Sequence, residues 1–295
     1  MNKPQIIVIV GPTASGKSAL AVNIAQRFNG EIVSADSRQI YRGMDIGAGK
    51  IAPQEMKGVP HHLLDVASPK RDFNVSHFKK LAEKKIKEIT ARGNVPIIVG
   101  GTGFWIDALV YDFNLPEVKP DRKLRAKLEK MPVEKLFEKL KKLDPKRAKN
   151  IDPKNPRRLI RALEVVLLSK KPVPKLKQES KYNVLFIGIK KDGEELEKKI
   201  YKRLTERLNS GMIEEVKKLR ESGVSWKRLD NFGLEYRYIS RYLRGLLNYD
   251  EMTAQLFGAI KKYAKRQITW FKRNKDINWI KNFKEAAVLV KSFLF

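Results

Sequence analysis

No cysteine occurs among the 295 residues, which removes disulfides, thiolate zinc sites and a cysteine nucleophile together. Long apolar runs are missing too: none reaches the roughly 18 residues of a membrane span. Residues 1–5 lead straight into the first apolar stretch and leave no room for a targeting leader, so a cytoplasmic protein without a membrane partner is expected. Acidic residues are scarce beside basic ones, 33 against 62, giving a net charge of +29. So large an excess works against a compact state unless an anionic partner neutralises it. Hydrophobic content of 42% and the lack of any low-complexity tract exclude disorder as the explanation. Nucleic acid is therefore the expected partner. A lysine-rich, heat-adapted surface is the competing explanation, but heat adaptation raises Glu along with Lys, and here Glu lags. The length suits one large domain, or a core carrying an insertion.

Against this background one stretch organises the rest, residues 6–18, IIVIVGPTASGKS. An apolar, largely β-branched run enters Gly11-Pro12-Thr13-Ala14-Ser15-Gly16-Lys17-Ser18, and a helix-forming run follows from Ala19 to Phe28. This is a phosphate loop in its proper strand–loop–helix context. Gly11 and Gly16 let the backbone curl so that successive N–H groups face phosphate oxygens. The helix start adds its positive dipole end, Lys17 adds a full charge, and the Ser18 hydroxyl is a candidate ligand for Mg²⁺. The motif specifies a polyphosphate or pyrophosphate without choosing between them.

Further along, a short strand over Ile32–Ala35 delivers Asp36 to the carboxyl edge of the sheet, where ligands of parallel α/β folds bind. Two roles compete there: holding Mg²⁺ through water, or accepting a proton. Residues 44–60 read as a loop jointed by glycine and proline. His61 and His62 are adjacent, so on a strand they point to opposite faces and cannot chelate one ion together. A helix is expected over Val75–Arg92, closed by Gly93. The run VPIIVGGTGFWI then repeats the strand–Gly-turn–helix pattern: Thr102 brings a hydroxyl to the carboxyl edge, and Phe104 and Trp105 bring rings for stacking or for the core.

From Asn114 the texture changes. Residues 117–181 hold 22 Lys and Arg against 9 Asp and Glu, whereas residues 1–116 hold 15 against 10. Prolines punctuate short helical runs and no strand pattern appears. The reading is an α/β core over residues 1–116 and 182–295, interrupted by a basic, all-helical insertion over 117–181. In its last helix, Arg157–Ser169, Arg157 and Arg161 share a face at the helix start, against the dipole, which suggests a bound anion. After the insertion come a buried strand, Tyr182–Ile189, and a helix, Glu194–Leu208, with Tyr201, Arg203 and Arg207 off its apolar stripe. A turn into a helix follows at Asn231–Tyr236, and then a long helix, Glu251–Asn274, in which basic and aromatic residues alternate.

In order and spacing, GPTASGKS, SADSRQIY, HHLLD, GGTGFWI, NPRRLIRALEV and KRQITWFKR resemble the motifs of the tRNA dimethylallyltransferases over about residues 6–273. Two departures stand out. Trp105 replaces the family's usual Tyr, and FGLEY (Phe232 to Tyr236) replaces IGYKE, so that Glu235 stands where a Lys is common. No zinc finger of the eukaryotic kind is present, so the resemblance is to bacterial forms. It implies a P-loop NTPase-like parallel sheet flanked by helices, with dimethylallyl diphosphate as donor, N6 of adenine 37 in the tRNA anticodon loop as acceptor, Mg²⁺ as cofactor and a monomer as the working unit. The loop from Gly11 to Ser18 would bind the diphosphate, with Lys17 stabilising the departing charge, Asp36 taking the amine proton, and Thr13 and Thr102 bonding the diphosphate or reacting groups. Ser37 and Gln39 would read the edges of the extruded base, Arg157, Arg158 and Arg161 would grip the RNA backbone or the diphosphate, and Asp36, Arg38, Thr102, Leu159, Ile160 and Arg266 would join them in binding tRNA. A small-molecule kinase shares the loop, sheet and Mg²⁺ but leaves the charge unexplained. A non-catalytic RNA-binding ATPase switch lacks its hydrolytic Asp-Glu pair after a hydrophobic strand.

Overall fold

The computed structural model describes residues 3–176 and 179–295. Met1 and Asn2, where the leader expectation begins, and Lys177 and Gln178 of the insertion lie outside the described residues. The chain forms two compact units, residues 1–111 with 180–295, and residues 112–179. The core boundaries lie at 111 and 180, where sequence texture alone placed them at 116 and 182.

The larger unit is built on six strands, β1 (Gln5–Val10), β2 (Gly30–Ser34), β3 (His61–His62), β4 (Val95–Gly100), β5 (Asn183–Ile189) and β6 (Ile277–Ile280), in the order β3-β2-β4-β1-β5-β6. Every pairing is parallel. A parallel sheet must be covered on both faces, which is why β1 reads as a continuous apolar run rather than an alternating one. Its Ile6, Val8 and Val10 pack into one core with Phe78, Leu109 and Leu256, while Ile7 and Ile9 face a second core with Leu20, Ile24 and Val290. Sequence patterning does not single out β6, which is only four residues, or two of the covering helices, Met212–Glu221 and Phe283–Leu294.

The register sets the site. Val10 pairs with Gly100, Ser34 with Val99, and the Ala35 amide bonds the Val99 carbonyl at 2.7 Å. The chain therefore leaves β1, β2 and β4 at one level, and residues 11–18, Asp36 and Gly101–Thr102 emerge side by side. The strand order reverses direction at β1, the topological switch at which open α/β sheets bind ligands.

The smaller unit contains the helices Arg122–Glu129, Val133–Leu143, Pro145–Ala148 and Pro156–Ser169, and no strand among its described residues. Asp121, Asp144 and Asn155 cap helix starts with their side chains. Leu128, Leu136, Leu140, Leu159 and Leu163 form its own core. The buried carboxylate of Glu164 is held by Arg125 at 2.7 Å, Arg161 at 2.6 Å and the Asp121 amide at 2.8 Å. Those bonds and charges outweigh the upward push of burial, so Glu164 titrates below its usual range.

Candidate active site at the carboxyl edge of the sheet

Gly16 takes a left-handed conformation as it enters the helix Lys17–Arg27. The amides of Gly16, Lys17 and Ser18 have no partner among the described residues, as expected at a helix start with no side-chain cap. Lys17 curls back so that its ammonium donates to the Pro12 carbonyl at 2.7 Å. Desolvation and the nearby Arg203 pull its pKa down to about 8, with Asp36 opposing them. Thr13 spends its amide on Gln267 (2.9 Å), whose own amide donates to the Gly101 carbonyl at 2.9 Å. Gln267 thereby ties the phosphate loop to the turn after β4.

A cavity of about 350 Å³ opens beside this loop. Thr13, Lys17, Ser18, Asp36, Ser37, Arg38, Gln39 and Thr102 all line it, so residues chosen from three separate sequence motifs meet in one place. Asp36 accepts the Arg38 amide at 2.8 Å, which leaves its second carboxylate oxygen without that bond. Thr102 accepts the Ser37 amide at 3.2 Å, so its O–H remains to donate. Gln39 is occupied at both ends: it accepts from Ser34 at 3.0 Å and donates to the Gly49 carbonyl at 3.1 Å. Arg38 donates to the Phe232 carbonyl at 2.7 Å and to that of Ser37 at 2.9 Å. Gln39 therefore builds the wall with the same amide that was expected to read a base edge, and Arg38 likewise turns toward the chain's own carbonyls.

The lining also holds residues that sequence motifs alone do not select. Arg203 and Arg207 reach the cavity from the helix Gly193–Asn209. Burial and the neighbouring Arg207 bring Arg203 down to about 10, with Glu235 and Asp36 opposing. Gly49 is left-handed, and a side chain there would overlap both guanidinium groups. Glu235 sits at the start of the helix Leu234–Leu243, 3.4 Å from Arg207. Burial pushes its carboxyl up, while Arg207 draws it down. Tyr263 and His61 also line the cavity.

Several expected contacts fall elsewhere. Leu159 is fully buried and Ile160 nearly so in the core of the smaller unit, so their side chains cannot touch RNA. Arg161 is committed to Glu164 and to the carbonyls of Pro116 and Val118, which explains its place at a helix start without a bound anion. Arg157 and Arg158 are exposed. Trp105 is buried, stacked on Phe78 at 4.8 Å, so its ring belongs to the core, whereas Phe104 is 38% exposed. Arg266 is exposed and lies over the Tyr263 ring at 5.7 Å. The two histidines diverge as expected: His62 meets Glu31 at 2.6 Å and His61 meets the Val59 carbonyl at 2.8 Å. Among the described residues no helix is long and apolar enough to cross a membrane, and no three His, Asp or Glu side chains converge to hold a metal.

Residues 39–274 match the model of the IPP transferase family. A protein named tRNA dimethylallyltransferase from Acetivibrio thermocellus is 44% identical over 93% of this chain and 91% of its own. One of the same name from Pelotomaculum thermopropionicum is 40% identical over 98% and 95%. The crystal structure of the full-length tRNA isopentenylpyrophosphate transferase from Bacillus halodurans is similar with a TM-score of 0.75 and 38% identity, covering 99% of this chain and 96% of that one. A eukaryotic dimethylallyltransferase, described as acting on tRNA, matches with a TM-score of 0.81 and 26% identity over 98% of this chain and 77% of its own.

Proposed function

The chain belongs to the IPP transferase family and is a prenyl-transferring enzyme, and on that premise we propose that it moves a dimethylallyl group from dimethylallyl diphosphate to N6 of adenine 37 in the anticodon loop of tRNA, releasing diphosphate. The observation that carries the reading is the meeting of Lys17 and Asp36, one cation and one carboxylate, in a single cavity at the switch point of the sheet. Relatives spanning more than nine-tenths of the chain favour it over the kinase alternative.

The chemistry follows from the side chains. The diphosphate is a leaving group, so its negative charge grows as the allylic C–O bond breaks. Free amides at a helix start and the Lys17 ammonium stabilise that charge. Arg203 and Arg207 add positive potential from the lining of the same cavity. Adenine's exocyclic amine is a weak nucleophile, and Asp36 takes its proton as the C–N bond forms. The Thr102 hydroxyl donates to whichever reacting oxygen lies beside it. Ser18 offers a hydroxyl to the same cavity, donor chemistry that would suit Mg²⁺. When bound, Mg²⁺ would neutralise part of the leaving-group charge. The strong positive charge of residues 117–181 supports a grip on the anticodon stem. We place the enzyme in the cytoplasm, working as a monomer.

Labelled dimethylallyl diphosphate incubated with tRNA should carry its label to the adenine in the presence of the enzyme. Asp36→Ala should lower the rate by about 10³-fold and leave tRNA affinity nearly unchanged. Label that stays on the diphosphate side, or a variant that binds tRNA poorly yet turns over normally, would refute the reading.

A further inference from the structure

One carboxylate near the cavity does more than its position suggests. Glu215, on the helix Met212–Glu221, accepts four hydrogen bonds. Its Oε2 takes the amides of Asp45 at 2.8 Å and Ile46 at 2.6 Å, and its Oε1 takes the amide of Gly47 at 3.0 Å and the hydroxyl of Tyr236 at 2.9 Å. Three successive amides converging on one anion form a backbone nest, here filled by the chain's own side chain. The approach is close enough that a Cβ on residue 47 would sit 2.8 Å from the Tyr236 ring.

The loop held in this way feeds directly into the cavity. The Gly47 carbonyl accepts from Arg207 at 3.5 Å and the Gly49 carbonyl from Arg203 at 3.4 Å, while Gln39 also donates to Gly49 at 3.1 Å. The arginine bonds are long. They help to steer each guanidinium, Arg207 with added guidance from Glu235 at 3.4 Å, and both side chains line the cavity.

We propose that Glu215 is a positioning residue for the donor's diphosphate: by filling the nest at residues 45–47 it holds the carbonyls that aim Arg203 and Arg207 into the cavity. The inference rests on the diphosphate reading of the cavity given above. It also predicts a sign that plain electrostatics does not. Deleting a negative charge near an anion site should tighten anion binding. If Glu215 works through the loop, its removal should weaken binding instead.

The test measures inorganic pyrophosphate binding by calorimetry, together with the donor KM and kcat. Glu215→Gln keeps the shape, but its amide group opposes the backbone donors it faces. It should weaken pyrophosphate about tenfold, raise the donor KM by a similar factor, and leave kcat at saturating donor within about twofold. In an Arg203→Ala, Arg207→Ala background the same substitution should add almost nothing, because the route of its action is gone. Glu215→Asp, which retains the charge, should lose less than Glu215→Gln and provides the readout should the Gln variant fail to unfold cooperatively. Unchanged or tighter pyrophosphate binding in both variants, or equal weakening in the arginine-free background, would overturn the inference while leaving the diphosphate reading intact. Absence of pyrophosphate binding by the unaltered protein would overturn both.

Discussion

Two stretches of this backbone each present three successive amides, and the chain treats them in opposite ways. At residues 45–47 the amides are filled by Glu215, and the result is a fixed wall. At residues 16–18 no side chain enters, and Asp36, a nearby carboxylate, is turned to the Arg38 amide. Lys17 stands at the open nest as an extra cation held on a carbonyl. Geometry that can bind an anion is therefore not enough to mark a site. Whether the chain supplies its own anion decides between scaffold and binding surface. A closed nest should contribute to stability, and an open one should contribute to function at some cost in stability.

Of the two nests, the open one should give the larger effect. Lys17→Ala should lower kcat/KM by about 10²–10³-fold, the usual loss when one stabilising donor is removed from a charged transition state. Its thermal midpoint should stay level or rise, since the folded state already holds this ammonium less tightly than water does. A fall in the midpoint comparable to that of a core substitution would break the distinction between the nests.

A pH series sharpens the same point, because two consequences of one shift run in opposite directions. The folded pKa of Lys17 is about 8, below the ordinary lysine value of 10.5. As pH rises through about 8 the free enzyme loses this charge, so the donor KM should climb. Between about 8 and 10.5 the unfolded chain holds the extra proton, so the contribution of this group to stability should grow with pH. Lys17→Ala should flatten both trends, and a donor KM that stays level across pH 8 in the unaltered enzyme would contradict the assignment.

The closed nest should answer differently. Gly47→Ala forces a Cβ against the Tyr236 ring and the Glu215 carboxylate. Crowding of that kind costs about 1–3 kcal/mol, read as a drop of several degrees in the thermal midpoint. Loss of activity should be smaller than for Lys17→Ala. If Gly47→Ala abolished turnover without lowering the midpoint, residue 47 would belong to the binding surface itself.

The open nest was legible in the sequence and the closed one was not, for a physical reason. A phosphate loop announces itself because strand, glycines, lysine and helix are contiguous. Asp36 and Thr102 were found by the same grammar, each one step past a buried strand. Glu215 lies 168–170 residues from the amides it fills, and nothing local distinguishes it from Glu214. Arg203 and Arg207 share the four-residue spacing of Arg157 and Arg161, yet only the former pair lines the cavity. Spacing shows that two guanidinium groups share a face, not what that face meets. The local signal for Arg161 is Glu164, three residues on and a ready intrahelical partner. Strands β1, β2, β4 and β5 were readable from their apolar runs, whereas the two-residue β3, β6 and the helix after β6 depended on pairing and packing with elements far away in sequence.

The smallest expected effect tests the boundary of the open nest. The Ser15 hydroxyl is buried and has no hydrogen-bond partner among the described residues, although Ser15 belongs to the loop that sequence alone assigned to the diphosphate. A buried hydroxyl without a partner costs desolvation and returns nothing. If that is its condition in the working enzyme, Ser15→Ala should change stability by less than about 0.5 kcal/mol or raise it slightly, with the donor KM unmoved. A tenfold or larger rise in the donor KM at constant kcat would instead mean that the diphosphate satisfies this oxygen on binding. The open nest would then extend inward past Gly16, and the unpaired hydroxyl would be part of what the loop withholds from its own chain.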